Sequence, residues 1–469
     1  MTGRPAQFCF TRLQRILVFG GALGALALLG FGCRGGARVV ESLPQIELEY
    51  WTVWDEPEDF GDLILAYREQ HPNVHINVKK FTFDDYENRL LQAWARGEGP
   101  DLYSIPNSAV GKYHDFIRPL PATVQLPTLV VTGGCSKDIR VVEQPRATIR
   151  PELLDDTFLP VVADDVIVDN TIQALPLAAD TLALFYNKDL LTAAKIIAPP
   201  QTWQELTDMV DATKGGLTKE ENGTLLQSGI TLGTADNVNR SVDILSVLMM
   251  QSGTQMVDPQ GKIVTFDQES ATEKGYVPGA NALDFYSSFA DPGRVTYSWN
   301  ADQPSAQEAF AAGTAAFFVG YSYQVDIIRR TNPQLNFGLA PLPQIGTDGL
   351  QINFANYWVE TVATKTEYPN EAWDFLLFAT SAQQVPRYLN ATSKPSALKA
   401  LLASQKDDLD LAVFVDQLLL AKTWYHGYND TAMETSMREM MTSVNTGTPV
   451  QEALRLAARR IQETYSKPR

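Results

Sequence analysis

Few residues of this chain are placed where catalysis would need them. The histidines are His71, His75, His114 and His426. His71 and His75 have ligand-like spacing, but Pro72 marks a helix-to-strand junction between them, so they read as exposed loop residues rather than as a metal site. Adjacent acids stand at Asp55 and Glu56, Asp84 and Asp85, Asp155 and Asp156, and Asp164 and Asp165. A glycosidase needs two carboxyls roughly 5 to 10 Å apart across a substrate, which neighbours in sequence do not establish. No HExxH, GxSxG or GxxxxGK signature occurs, and no metal or cofactor is expected. Binding is better served. Trp54 with Asp55, Asn107, and Tyr321 with Tyr323 stand where a strand-like apolar run gives out, and Asn356 with Trp358 just after the expected return crossover. Open α/β sheets hold ligands beyond the carboxyl ends of their strands. Rings that stack on a C–H face, beside carboxylates and amides that bond hydroxyls, are what a sugar requires. Trp51 and Trp203 fall inside periodic apolar patterns and are assigned to the core.

One further carboxylate stands out. Apolar residues run almost unbroken from Ala174 to Tyr186, interrupted mainly by Asp180 and Thr181. The stretch Leu175 to Leu191 reads as a strand leaving one lobe and a helix opening the next. A carboxylate there must be satisfied. Asp180 is either a hydrogen-bonded turn residue or a group facing a cleft between lobes.

The elements that position these residues alternate. Ile46 to Trp54 reads as a first strand, followed by a helix with Phe60, Leu63, Ile64 and Tyr67 on one face. Val74, Ile76 and Val78 mark a second strand, Tyr86, Leu90, Ala93 and Trp94 a second helix capped at Gly97, and Gly99 to Ile105 a third strand. Such alternation implies a parallel sheet. Residues 121–170 are expected to hold a short hairpin and an acidic helix or loop, an insertion on the first lobe. Thr202 and Glu205 make a capping box for the helix that follows the hinge. Ala306 and Phe310 lie on a helix, Gly313 stops it, and Ala315 to Val319 is a buried strand ending in GYSY. Residues 336–344, with Pro341 and Pro343, are expected to be the second crossover, and residues 405–412 to hold the third. Asn370 is expected to cap a helix, and Thr448, Pro449 and Gln451 to open the last one.

The 469 residues suit two domains, and 45% hydrophobic with 20% charged residues is an ordinary globular balance. Arg4, Arg12 and Arg15 precede an apolar run from Ile16 to Phe31, which reads as a signal segment (1–32) too short to span a bilayer. Without it the net charge moves from −17 to −20, which disfavours nucleic acid and anionic ligands. Cys9 leaves with the signal and Cys33 stands immediately after it, so Cys135 is the one cysteine of the body and no intrachain disulfide between body cysteines is expected.

A resemblance rests on several of these stretches. The strand with WTVWDE, then GEGPDLYSI, then the run through Tyr186, Asn187 and Lys188 with TWQEL, then AFAAGTAAFFVGYSY with FGLAPLP occur in this order. Together they resemble the extracellular solute-binding proteins of ABC importers, in their carbohydrate-binding, maltose-binding-protein-like group. The resemblance extends from Trp51 to Tyr465. It implies an α/β fold of two lobes, the type II periplasmic-binding-protein-like fold with three interlobe crossovers. The implied lobes are 44–177 plus 340–406 and 178–339 plus 407–469. It further implies a cleft ligand, a carbohydrate, touching Trp54, Asp55, Asn107, Asp180, Tyr321, Tyr323, Asn356, Trp358 and Trp424. The ending LLGFGC resembles a bacterial lipoprotein signal in which Cys33 is lipidated and residues 33–43 form a tether; an uncleaved signal anchor is the alternative. Implied partners are the transmembrane subunits of an ABC permease and, through the anchor, the membrane outside the cytoplasm. The protein is expected to be a monomer. A secreted glycan-acting hydrolase and a surface lipoprotein without transport function are the competing readings.

Overall fold

The computed structural model describes residues 43–467 except 133–137, 215 and 347–350. The signal segment, Cys33, all but the end of the tether, and Cys135 therefore lie outside the described residues. Strands Ile46–Thr52, Val74–Lys80 and Leu102–Pro106 pair in parallel, as alternation with helices predicts. Trp358–Val362 and Ala174–Leu175 complete this sheet as antiparallel neighbours. Ile46, Leu48 and Tyr50 alternate into the core from one face. Helix Phe83–Arg96 buries Tyr86, Leu90, Ala93 and Trp94 and stops at Gly97, whose φ of 75° lets its N–H reach back to the carbonyls of Ala93 and Trp94.

A second sheet runs in the order Lys219–Glu221, Thr224–Ile230, Ala315–Gly320, Ala183–Asn187 and Phe337–Pro341. Residues 336–344 are thus not the second crossover: Phe337–Pro341 is an edge strand of the second sheet, opposite Ala183 to Asn187. Pro341 fits there because an edge strand has a side on which no N–H is needed. The crossings lie in a separate three-stranded sheet made of Asp180–Thr181, Asn353–Asn356 and Ala421–Lys422. Around the expected third crossing, Leu402, Leu411, Val415 and Leu418 pack in the first core while Phe414 packs in the second.

Two apolar cores flank these crossings. One gathers Leu48, Tyr67, Leu90, Val359 and Trp373; the other gathers Phe185, Leu245, Phe317, Met437 and Ile461. The segment expected to be an insertion contains a hairpin of Thr123–Thr132 and Asp138–Ala147. Arg146 at its base pairs with the buried Asp374. Local caps depart from the sequence pattern in three places. Thr202 accepts the Glu205 N–H, but the Glu205 carboxylate accepts from Gln201 instead of Thr202. Asn370 sits inside helix Pro369–Ala379 and accepts the Gln125 N–H of the hairpin. Thr448 lies one residue before the N-cap, Pro449, which makes no side-chain cap. No described helix is long and apolar enough to cross a membrane.

Strands of two to four residues supply few ladder bonds, and side-chain amides make up the difference at the crossings. Asn353, fully buried, accepts the Leu182 N–H at 3.2 Å and donates to the Leu182 carbonyl at 2.7 Å and to Gln417 Oε1 at 2.8 Å. Gln417 in turn accepts the Leu342 N–H at 2.9 Å and donates to the Val413 carbonyl at 2.9 Å. Asn353→Ala leaves the buried Leu182 N–H without its acceptor and removes a donor from the Leu182 carbonyl and from Gln417 Oε1, and is expected to lower unfolding free energy by roughly 1–3 kcal/mol. Urea denaturation checks this, and an unchanged midpoint would show that the crossings do not depend on the amide.

Candidate functional site

Trp54 follows the first strand of the first sheet and is 56% exposed. Its ring lies 5.6 Å from Phe83, nearly parallel at 23°, and 6.1 Å from Trp358, nearly perpendicular at 88°. Beside these rings the Asp55 carboxylate pairs with the Lys394 ammonium and accepts from Tyr388 Oη at 2.8 Å. Beneath, Glu360 accepts from Tyr50 and Ser104. Burial pushes the Glu360 carboxyl up to about 7.

On the other side, Tyr321 and Ser322 follow the buried strand Ala315–Gly320, and Tyr323 opens the helix Tyr323–Thr331. Tyr321 is buried and donates to Asp243 at 2.6 Å, while Tyr323 is 50% exposed, its ring 6.3 Å from that of Tyr321. Asp243 also holds Arg240 through Nε at 2.9 Å and Nη2 at 3.0 Å. Arg240 adopts a left-handed backbone, φ 58°, at the start of helix Ser241–Gln251. For a residue with a Cβ this costs about 1–3 kcal/mol and persists where the surroundings demand it. Burial opposes the guanidinium charge, but Asp243 and Glu434 hold its pKa above the ordinary value.

The crossings join the two sides. Asn356 donates to Asp243 at 3.1 Å. Asp180 accepts from its neighbour Thr181 N–H at 2.8 Å, and from Ser322 N–H at 2.9 Å and Oγ at 2.7 Å. Asp180 is thus a hydrogen-bonded residue that ties a crossing strand to the loop at Ser322. Burial lifts its carboxyl to about 7, against the Ser322 and Thr181 bonds and the Lys394 charge, which lower it.

The structure therefore brings Trp54, Asp55 and Trp358 together on one side, Tyr321 and Tyr323 on the other, and Asp180 and Asn356 between. Two expected residues sit elsewhere. Asn107 is buried, its amide donating at 2.8 Å to Asp165, a carboxylate that also binds Tyr357, Thr423 and His426. Trp424 lies in the second core, 4% exposed, its indole N–H on Ser246 Oγ at 3.0 Å. Apolar neighbours such as Phe266 claim that ring. Sequence reasoning missed Phe83, Lys394, Arg240 and Asp243. Phe83 follows the end of the second strand, so the strand-end rule applied there would have found it; the other three are brought in only by folding. Two surface hollows, of about 360 and 240 Å3, lie elsewhere, one beside Ile196 and Met209, the other beside Trp94 and Asp101.

Two α/β lobes joined by three crossings bring these rings and polar side chains together where they meet. The chain belongs to the bacterial extracellular solute-binding protein family, which matches residues 62–412. A probable ABC transporter-binding protein of Deinococcus radiodurans is 26% identical over 262 residues, 55% of this chain and 59% of that one. The maltotriose-binding protein of Pyrococcus abyssi is 22% identical over 343 residues, 71% of this chain and 62% of that one. The chain thus spans about six-tenths of the length of these relatives. Among solved structures, the sugar-binding protein MalE of Xanthomonas citri superposes with a TM-score of 0.69 at 20% identity, covering 90% of this chain and 97% of that one. A cyclo/maltodextrin-binding protein complexed with maltotetraose gives 0.68 at 17% identity, with the same coverage. These likenesses show the two-lobed fold. Family membership in a binding class, rather than a catalytic one, agrees with the poor case for catalysis in the sequence.

The raised Asp180 carboxyl has a signed consequence. Unfolded, it ionises near pH 4; folded, it keeps its proton to about 7. Between those values the folded state binds the extra proton, so this group's contribution to stability falls as pH rises from about 4 to about 7. The stability difference between the parent protein and Asp180→Asn is expected to shift against the parent across that window and to level off above it. Urea titrations at several pH values check this; a difference independent of pH would show an ordinary, ionised carboxylate.

Proposed function

We propose that the protein captures an uncharged carbohydrate between its lobes and delivers it to the membrane subunits of an ABC importer, from outside the cytoplasm. The observation that carries this reading is the exposed Trp54 ring, walled by Trp358 and flanked by the Asp55–Lys394 pair. Exposed aromatic faces beside polar side chains suit a molecule with an apolar C–H face and a rim of hydroxyls. Lys394 and Arg240 already sit on Asp55 and Asp243, so little uncompensated positive charge faces an anion. The ion-paired groups offer directional hydrogen bonds instead. The relatives support the class: one is named a maltotriose-binding protein and another, in Bacillus subtilis, a galactooligosaccharide-binding protein.

In this reading Trp54, Asp55, Asp180, Tyr323, Asn356 and Trp358 face the ligand, with Tyr321 behind Tyr323, and Asn107 and Trp424 support the walls from inside. The lobes meet at the three short strands, so residues 44–179 with 357–420 form one and 182–352 with 423–467 the other. A ligand touching both lobes favours the closed arrangement by the free energy of the contacts it gains there. Cys33 carries the lipid that holds the chain at the membrane, and the acidic body acts as a monomer.

Two measurements test this. Calorimetry against neutral mono- and oligosaccharides is expected to find a saturable ligand, and Trp358→Ala to weaken it at least tenfold, roughly 1.4 kcal/mol; equal affinity would take Trp358 out of the site. In a bacterial host, Cys33→Ser is expected to move the protein from the membrane fraction to the soluble one. Continued membrane association would instead indicate an uncleaved signal anchor.

A further inference from the structure

Asp165 joins the two lobes through its two carboxylate oxygens. It sits on helix Pro160–Val166, its side chain 1% exposed, and its neighbours Val162 and Val166 belong to the first core. Oδ2 accepts from Asn107 at 2.8 Å and from Tyr357 at 2.5 Å, both of the first lobe. Oδ1 accepts from Thr423 and, at 3.0 Å, from His426 Nε2. These two follow the last crossing strand, Ala421–Lys422, where Trp424 and Tyr425 already pack in the second core. Separating the lobes strips Oδ1 of both partners. The contact continues outward from this carboxylate. Gly111 of helix Val110–Tyr113 lies so close to the second lobe that an added Cβ would stand 2.7 Å from the Gly427 carbonyl oxygen and 3.0 Å from that of His426. Lys112 lies between Glu87 of its own lobe, at 2.8 Å, and Asp430 of the other, at 3.4 Å, and Asp115 pairs with Lys467 at 2.7 Å. A second imidazole, His114, sits 3.4 Å from Asp115 of its own lobe and does not span the gap. Among the described groups that do span it, His426 is the one that ordinarily changes charge near neutral pH.

We infer that this contact is a latch between the lobes and that protonation of His426 tightens it, so that the chain favours its closed form in mildly acid surroundings and opens as they turn alkaline. The inference concerns the lobes themselves and holds whatever the cleft takes up. A protonated imidazole donates from both nitrogens and carries the charge opposite to Asp165, which makes the bond strongest in that form. Burial opposes the imidazolium charge, but the Asp165 bond and charge, with Asp164 behind them, hold the His426 pKa above its ordinary value. Opening removes Asp165 and returns the group toward about 6.5. The closed form therefore binds the extra proton. Its help to closure is complete below the open-form pKa and is lost as pH rises through the closed-form one. The other groups around the imidazole leave that sign unchanged. Asp164 is itself pushed up by burial and by Asp165, against His426 and Lys422, while Tyr357, Tyr425 and Tyr465 are phenols that burial keeps protonated. A ligand that binds the closed form is then held more tightly on the acid side, because less of its binding energy goes into closing the lobes.

The test is small-angle X-ray scattering on the dialysed mature chain, with no ligand added, between about pH 6 and about pH 8.5, which brackets the imidazole range. The parent is expected to expand across that interval, its ratio of open to closed form rising about threefold or more. His426→Gln keeps an amide donor but carries no charge, and is expected to abolish the change. Gly111→Ala suits the helix but sets a methyl against the Gly427 carbonyl, and is expected to give the expanded form at both ends of the interval. Melting curves show whether each variant is folded. A parent of constant dimensions overturns the inference, and so does a Gly111→Ala variant as compact as the parent at the acid end. Asp180 and Glu360 also titrate near 7, so an expansion that His426→Gln retains overturns it too and traces to them. Should His426→Gln not fold, nuclear magnetic resonance on the parent decides instead. One imidazole then has to titrate above its ordinary value and together with the expansion, and a titration curve that does not follow the scattering overturns the latch.

Discussion

Three chain crossings pass between two separate apolar cores, and none has a wide sheet to satisfy its backbone. Asp180–Thr181, Asn353–Asn356 and Ala421–Lys422 are the whole of the joining sheet. Buried N–H and carbonyl groups must find partners, and at this place side chains provide them. Asn353 and Gln417 tie Leu182, Leu342 and Val413 into one network. Asp180 does the same for the turn at Ser322. Because the cores stay apart, the lobes are coupled by these bonds and by polar side-chain pairs such as Lys112–Asp430 and Asp165–His426, not by shared apolar packing. That is the mechanical condition for a hinge: small regions absorb the change in backbone angle while the cores remain packed.

The same economy shapes the electrostatics of the cleft. At this junction the two cationic side chains are each held by a carboxylate, Lys394 on Asp55 and Arg240 on Asp243. Asp243 links three elements at once, since Arg240, Tyr321 and Asn356 all donate to it. Buried carboxylates elsewhere are likewise surrounded by donors, as Asp165 and Glu360 show. Where burial outweighs those donors, as at Asp180 and Glu360, the proton is held to higher pH.

Much of the architecture was legible beforehand because it rests on local periodicity. Alternation of Ile46, Leu48 and Tyr50, the stripe of Tyr86, Leu90, Ala93 and Trp94, and the stop at Gly97 are short-range signals, and each is realised. Residues 336–344 misled for a physical reason. Pro341 and Pro343 do impose extended backbone, but extension serves an edge strand as well as it serves a connector. Asn370 and Thr448 misled similarly, because a capping side chain near a helix start can be drawn to another partner or displaced by one residue. At the candidate site, Trp54 and Asp55 could be named from a strand end and Trp358 from its place just after the return crossover. Trp424 could not be told from a core ring, since its neighbours in sequence carry no periodicity that decides burial.

By itself, then, the order of residues determined the alternating elements, the acidic surface, the poverty of catalytic groups and the set of rings that end strands. These follow from side-chain volume, period and charge, all of which act over a few residues. Tertiary structure alone decided that Lys394 would meet Asp55 across more than three hundred residues, and that Phe83 would lie beside Trp54. It also decided that Asn353 and Gln417 would stitch the crossings. Such pairings depend on how two packed bodies and their loops come to rest against each other. No short-range pattern encodes that, because the partners are far apart in sequence and meet only in the folded chain.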